Sequence, residues 1–116
     1  MKYMMLMWTA VDATGGSQAD FDAWAVFETA AREAGIYVDS GAFQAPADAQ
    51  LVETSLSGHT IDDAAKPGTY SDTDEQVAAY YLLECVDMAE AVSWAHRLPT
   101  YGCVEVRELV EYDQFA

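Results

Sequence analysis

One histidine lies in an acidic stretch where an imidazole and a carboxylate could act together. His59 is followed by Asp62 and Asp63 in a segment rich in Gly, Ser, Thr and Asp, which is typical of a surface loop. A carboxylate beside an imidazole fixes the tautomer of the ring and raises its pKa, so that the pair can serve as a general base. The sequence therefore predicts His59 and Asp63 as a catalytic pair. An exposed loop histidine among solvated acids is the alternative.

The other histidine and the two cysteines indicate structural roles. His96 precedes Arg97 near the end of a helical pattern, where polar and positive side chains favour the helix C-terminus. Cys85 and Cys103 lie in apolar runs and are predicted to be small buried hydrophobes, with a disulfide open only if their strands are neighbours. The histidines lack HxH or HxxxH spacing and the cysteines lack CxxC, so we predict no metal. Nucleotide-binding and serine-hydrolase motifs are also missing, and we expect no cofactor.

Aromatic residues are the candidate walls of a ligand-binding cleft. Tyr80 and Tyr81 are adjacent on a predicted strand, so their side chains should point to opposite faces of a sheet. One tyrosine should therefore face the helices and the other a cleft, although core packing is the default for both. Trp8 and Phe43 end two other strands and could line the same pocket, with Tyr70 beside it.

Arg107 is the candidate anchor for an anionic group of a ligand. It is one of only five Lys and Arg residues, and it alternates with valines on the last predicted strand. Pairing with Glu105 on the same face is the simpler alternative. The predicted substrate-binding residues are Trp8, Phe43, Tyr70, Tyr81 and Arg107.

The charge of the chain restricts its partners. Twenty Asp and Glu residues stand against five Lys and Arg, which gives a formal net charge of −15. We therefore expect no nucleic-acid partner and no anionic membrane partner, since both need clustered cations. No signal-peptide pattern and no run of 18 apolar residues occurs, so the prediction is a soluble, cytoplasmic protein with a small-molecule ligand. A high-salt cytoplasm is one open explanation of the acidity.

The pattern of apolar residues predicts one α+β domain over residues 1–116. Helices begin at the capping-box pairs Ser17/Asp20 and Asp87/Glu90 and end at Gly35 and Pro99. The residues 36–43 and 50–56 are interpreted as two strands joined by a turn, and 57–73 as the longest loop. The predicted strands cover residues 2–9, 36–43, 50–56, 76–86 and 102–110. This order is the ferredoxin-like βαββαβ unit with an extra hairpin strand.

Two of these strands are apolar on both faces. Residues 4–8 and 77–83 have no polar face, whereas two helices can cover only one side of the sheet. The uncovered side would expose an apolar patch unless a second sheet packs on it. We therefore predict a homodimer, sheet against sheet, with higher assembly left open.

The same segments resemble a known family. The opening MKYMMLMW, the segment TDEQVAAYYLLECVDMAEAVSWAHRLP at 73–99 and the ending GCVEVREL at 102–109 are similar to the YciI-like superfamily, in particular its DGPF-domain or YCII-related branch. The resemblance spans nearly the whole chain. It implies a dimeric α/β barrel with clefts between sheet and loops. It also implies a His-Asp pair as the proposed catalytic machinery, and at least one relative is a lyase acting on a chlorinated aromatic.

The chain departs from this family at its signature motif. Pro67-Gly68-Thr69-Tyr70 stands where the family carries Asp-Gly-Pro-Phe, so the aromatic position is kept and the acid is lost. Asp62 or Asp63 could supply a carboxylate to the same space. Two functions stay open: a cofactor-free lyase, isomerase or hydrolase using a His-carboxylate pair, and a non-catalytic ligand-binding or accessory barrel.

Overall fold

The computed structural model describes residues 1–10, 18–54, 65–100 and 102–112. Within these ranges, no helix is both long and apolar enough to cross a membrane. The cytoplasmic location stays a prediction. The strands and helices are β1 (Lys2–Ala10), α1 (Gln18–Glu33), β2 (Tyr37–Ala42), a short 3₁₀ helix (Pro46–Asp48), β3 (Gln50–Leu51), β4 (Lys66–Pro67), β5 (Glu75–Glu84), α2 (Met88–Ala95) and β6 (Cys103–Glu108).

The main sheet has four strands in the order β2-β5-β1-β6, and all its pairs are antiparallel. With α1 after β1 and α2 after β5, this arrangement is α+β and compatible with the ferredoxin-like fold. The predicted fold class is thus confirmed at this level, and the dimeric barrel stays a prediction.

The extra hairpin is not the one predicted. Of the predicted strand 50–56 the structure describes residues 50–54, and within these only 50–51 form a strand, β3, which pairs with β4 in a separate two-stranded sheet rather than with β2. Among the described residues β2 pairs with β5, and the amide of Phe43 extends that pairing by donating to the carbonyl of Ala78 at 2.8 Å. Pro46 then starts the 3₁₀ helix and turns the chain away from the sheet.

The predicted end of α1 is confirmed by its backbone geometry. Gly35 has a φ of +74°, which a residue with a side chain adopts only at a cost. The amide of Ile36 donates to the carbonyl of Ala31 at 3.1 Å, and the amide of Gly35 donates to Arg32 at 3.0 Å. These two bonds form a Schellman motif that closes the helix. The predicted cap Ser17 lies outside the described residues.

Asp87 caps α2 as predicted, and Glu90 reaches back to the residue before this cap, although the helix is shorter than expected. The carboxylate of Asp87 accepts from the amide of Glu90 at 2.9 Å, and Glu90 accepts in return from the amide of Val86 at 3.3 Å. The helix ends at Ala95 and His96 is its C-cap through its backbone, so the predicted position of His96 at the helix end is confirmed. After Ala95 the chain continues in tighter turns, in which the amides of Arg97 and Leu98 donate to the carbonyls of Trp94 and Ala95 at 3.0 and 3.1 Å. Pro99 then disfavours helical geometry at Leu98.

Both helices lie on one face of the sheet and form the core with it. The fully or nearly fully buried apolar side chains are Tyr3, Met5, Met7, Phe27, Ala31, Tyr81, Leu83, Cys85, Ala91 and Leu98. The burial predicted for Cys85 is confirmed.

The burial predicted for Cys103 is wrong. Cys103 pairs in register with Trp8, on the face away from the helices, and it is exposed. β1 separates β6 from β5, so the two cysteines are not on neighbouring strands and both are free thiols.

The other face of the sheet has no layer of described residues over it. Alternation along β1 and β5 places a set of half-buried apolar side chains there. We call this surface the open face, formed by Met4, Leu6, Trp8, Val77, Tyr80 and Leu82. Arg107 and Asp39 lie in the row of Met4 and Leu82, at opposite edges of the sheet.

Candidate functional site

A cavity of about 550 Å³ lies at one end of the open face. It is formed where β1 and β2 end and where β5 begins, together with the 3₁₀ helix and the loop after β4. We call it the aromatic cavity, because three of its walls are Trp8, Phe43 and Tyr70. The other lining residues are Gln44, Ala45, Pro46, Asp48, Ala49, Thr69, Ser71, Gln76 and Val77.

Trp8 is held at the cavity by β1, β5 and β6 together. The register of β1 on β5 shifts between Met7 and Trp8, so that Trp8 lies opposite Val77. Such a bulge re-aims a side chain. The indole Nε1–H of Trp8 donates to the carboxylate of Glu105 at 3.1 Å. The start of β6 approaches closely, since a Cβ on Gly102 would lie 1.7 Å from the carbonyl oxygen of Trp8.

Phe43 packs beside Tyr80 on the same side of the sheet. The two ring centroids are 6.1 Å apart, and Phe43 is 58% exposed. The hydroxyl of Tyr80 donates to Asp39 at 3.0 Å, and this bond, more than burial, raises the pKa of Tyr80. Phe43 is therefore an exposed wall of the cavity, and it packs against Tyr80, whose hydroxyl is held by Asp39.

The loop that corresponds to the signature motif forms the third wall. Gly68 has a φ of +112° and its amide donates to the carbonyl of Ala49 at 2.8 Å, which ties the loop to the end of the 3₁₀ helix. The hydroxyl of Thr69 donates to the carbonyl of Ser71 at 2.9 Å. Tyr70 follows with a side chain that is 91% exposed. The motif thus shapes the cavity through its backbone as well as its aromatic ring.

Gln76 is a cavity residue that the sequence analysis missed. It is only 8% exposed, and its Nε2 donates to the carbonyls of Ser71 at 2.9 Å and Thr73 at 3.2 Å. It therefore holds the loop above the cavity. Asp48 was missed too, and neither residue carries a clear signal, because a glutamine at a strand start and an acid after a proline are both common in turns.

Tyr81 lies on the opposite face from the aromatic cavity. Its ring stacks on Trp24 at 5.9 Å and meets Phe27 edge-on at 5.0 Å, and its hydroxyl donates to Glu28 at 3.3 Å. Burial raises the pKa of Tyr81 to about 12. The predicted division of Tyr80 and Tyr81 between two faces is confirmed. Tyr81 lines a second cavity of about 490 Å³ between α1 and the sheet, so it does not join the other predicted aromatic residues.

Arg107 also lies away from the aromatic cavity. Arg107 is opposite Met4 in the register, whereas Trp8 is opposite Cys103 at the other end of the pairing. Glu105 accepts from Trp8, and the described residues show no ion pair of Arg107.

The predicted catalytic pair cannot be placed. His59, Asp62 and Asp63 lie outside the described residues. Among the residues that are described, no group of three or more His, Cys, Asp and Glu side chains is placed to hold a metal ion. The absence of a metal and of a cofactor stays a prediction, as do the catalytic and substrate-binding roles.

The topology and the cavity together define a small α+β domain with an uncovered sheet face and a concave aromatic site at its end. A family model of the YCII-related domain matches residues 1–113, so the chain belongs to the YCII-related family. This finding confirms the resemblance drawn from the sequence motifs. A comparison with curated proteins gave no match.

Proposed function

We propose that this YCII-related protein binds a small aromatic or apolar molecule in the aromatic cavity. One observation carries the proposal: Trp8, Phe43 and Tyr70, which are far apart in the sequence, line one cavity of about 550 Å³. Sites for small molecules are concave, mostly apolar and of this size, with a few polar groups that orient the ligand. Gln76 and Asp48 supply such groups here.

We propose further that the bound molecule is turned over without a cofactor, in a lyase, isomerase or hydrolase reaction. His59 would accept the proton and Asp63 would orient its ring. The segment that carries both residues lies between β3 and β4, which pair with each other. The chain near these strands lines the cavity, at Ala49 before β3 and Thr69 after β4. The strand pair that carries the segment thus begins beside the site, which supports a role for His59 there.

The two histidines provide a matched test of this role. On an identified substrate, we expect His59→Ala to lower kcat by roughly 10²- to 10⁴-fold, the usual contribution of a general base. His96→Ala should retain activity, because His96 is the C-cap of α2 and does not line the aromatic cavity. A normal rate for His59→Ala would remove His59 from the mechanism.

A non-catalytic ligand-binding or accessory role is the second candidate. Pro67 stands in place of the signature acid, and this substitution favours it. The two candidates differ in one result. Ligand binding in the aromatic cavity together with unchanged ligand after prolonged incubation would support the accessory role.

We also propose that two copies pack through the open face. The apolar centre formed by Leu6, Tyr80 and Leu82 lacks a covering layer among the described residues, and buried apolar surface drives association. Arg107 and Asp39 lie at opposite edges of one row. A two-fold axis parallel to the strands would therefore bring each of them opposite the other on the partner, which is the complementarity of an isologous interface.

A further inference from the structure

We propose that the aromatic cavity selects an aromatic amine in its protonated form over a carboxylate or phosphate. The proposal rests on the ligand-binding role given above and names the class of ligand. It contrasts with the sequence-based expectation that Arg107 anchors an anion.

No lysine or arginine is available to hold an anion in this cavity. The chain's five cationic residues are Lys2, Arg32, Lys66, Arg97 and Arg107, and none of them lines the cavity. Arg32 and Arg97 stack on aromatic rings at 4.0 and 4.3 Å, and Lys66 pairs with Glu53 at 3.8 Å. Residues 11–17, 55–64, 101 and 113–116 contain no Lys or Arg. An anionic ligand would thus find no lysine or arginine beside it, and an anion that lacks a strong cationic partner is costly in an apolar site.

Three polar side chains of the cavity, Thr69, Ser71 and Gln76, direct their donors to nearby backbone carbonyls. The hydroxyl of Thr69 donates to Ser71, and the hydroxyl of Ser71 is within 3.0 Å of the carbonyl of Glu75. Gln76 donates from Nε2 to two backbone carbonyls, at 2.9 and 3.2 Å. A carboxylate or phosphate needs donors, whereas an amine brings its own. These contacts therefore favour a ligand that donates.

The charge and the aromatic walls of the cavity act in the same direction. Asp48 lines the cavity, and its carboxylate can only accept when ionised. Trp8, Phe43 and Tyr70 offer electron-rich ring faces, which attract a cation and recognise ammonium groups in many sites. The cavity thus combines hydrogen-bond acceptors, the carboxylate of Asp48 and three aromatic rings. This environment suits an ammonium group.

Three indole probes that differ in charge test this selection. We would titrate tryptamine, tryptophol and indole-3-acetate into the full chain at neutral pH by calorimetry. Physiological ionic strength screens the long-range effect of the net charge of −15, since the Debye length is then about 8 Å. We expect tryptamine to bind about tenfold more tightly than indole-3-acetate, with tryptophol between them.

Two charge reversals separate the local effect from that of the net charge. Asp48→Lys should abolish or reverse the preference for tryptamine, whereas Glu33→Lys should keep it, because Glu33 is exposed at the far end of α1. Both variants change the net charge equally. An equal effect of Asp48→Lys and Glu33→Lys on the preference for tryptamine would contradict the proposal.

The binding results distinguish failure of the charge selection from failure of the ligand-binding role. Indole-3-acetate binding as tightly as tryptamine, with both weakened by Phe43→Ala, would overturn the charge selection and leave the site in place. Absence of binding by all three probes would overturn both proposals.

Discussion

At the scale of single residues, Tyr81 shows how strongly the helix-side core determines the state of a polar group. Its ring packs against those of Trp24 and Phe27, and its hydroxyl donates to Glu28. Burial is the main cause that raises its pKa from 10.0 to about 12, and the neighbouring carboxylate adds to the effect. The neutral phenol is therefore favoured in the folded chain.

This shift predicts a loss of stability at high pH. Since the folded pKa of about 12 lies above the ordinary value of 10.0, Tyr81 ionises more easily in the unfolded chain. The contribution of neutral Tyr81 to the free energy of unfolding is complete below pH 10 and is lost as the pH rises toward 12. Urea unfolding across this window should show a steeper decrease in the free energy of unfolding for wild type than for Tyr81→Phe. Tyr70→Phe, an exposed control, should follow wild type. Equal slopes for wild type and Tyr81→Phe would contradict the assignment.

The sequence predicts a cavity residue correctly where its position in a strand or loop is enough to place it in the fold. Trp8 and Phe43 lie at the ends of strands and Tyr70 in the signature loop, and the structure brings these three together. The face of Tyr81 and the distance of Arg107 from the cavity along β6 depend on the register of strand pairing, which is set by distant parts of the chain. A sequence pattern does not contain that information.

At the scale of elements, the start of β6 determines how closely Trp8 is held. The Cβ of any larger residue at position 102 would meet the backbone of Trp8, at 1.7 Å from the carbonyl oxygen. Backbone atoms of a paired strand cannot move away as readily as the end of a side chain can. Gly102 is thus required for β6 to join β1 beside the aromatic cavity.

We therefore expect Gly102→Ala to be more harmful than Gly41→Ala. A Cβ at Gly41 would lie 2.8 Å from a ring carbon of Tyr80, and a ring can move away. Gly102→Ala should lower the free energy of unfolding by about 1–3 kcal/mol, the usual cost of overpacking, and should shift the indole N–H resonance of Trp8. Urea unfolding and ¹⁵N NMR measure both effects. A Gly102→Ala variant as stable as wild type would refute this account of the β1–β6 contact.

Local signals predicted the start of α2 and the end of α1 correctly, whereas non-local strand pairing was predicted less well. The Asp87 cap on the amide of Glu90 and the stop at Gly35 involve residues within one turn of the helix end. The partner of β3 is instead set by tertiary pairing: β3 pairs with β4 in a separate sheet, although β2 stands at the edge of the main sheet. Such pairing joins residues that are distant in the sequence, so a local pattern does not predict it.

At the scale of the whole molecule, the open face is an apolar surface that no layer of described residues covers in a single copy of the chain. Leu6 lies at its centre, paired with Tyr80 on one side and Glu105 on the other. An interface there would have to bury about 800 Å² per partner to be of standard size. The net charge of −15 opposes association of two copies, and salt screens that repulsion.

A pair of lysine substitutions tests the dimer. Leu6→Lys should convert dimer to monomer in moderate salt at micromolar concentration, because the interface would bury an unpaired charge. Val26→Lys makes the same change in charge on the outer side of α1, where the side chain is 70% exposed, and should remain dimeric. Sedimentation equilibrium distinguishes the two states. A monomeric wild type under these conditions would contradict the proposed dimer.

Binding in the aromatic cavity is tested most directly by two phenylalanines of similar exposure in different cavities. Phe43 lines the aromatic cavity and is 58% exposed, whereas Phe21 lines the cavity between α1 and the sheet and is 60% exposed. With tryptophol as an uncharged probe, calorimetry should show binding to wild type and to Phe21→Ala, and about tenfold weaker binding to Phe43→Ala. Unchanged affinity in Phe43→Ala, or loss of binding in Phe21→Ala alone, would contradict the central claim.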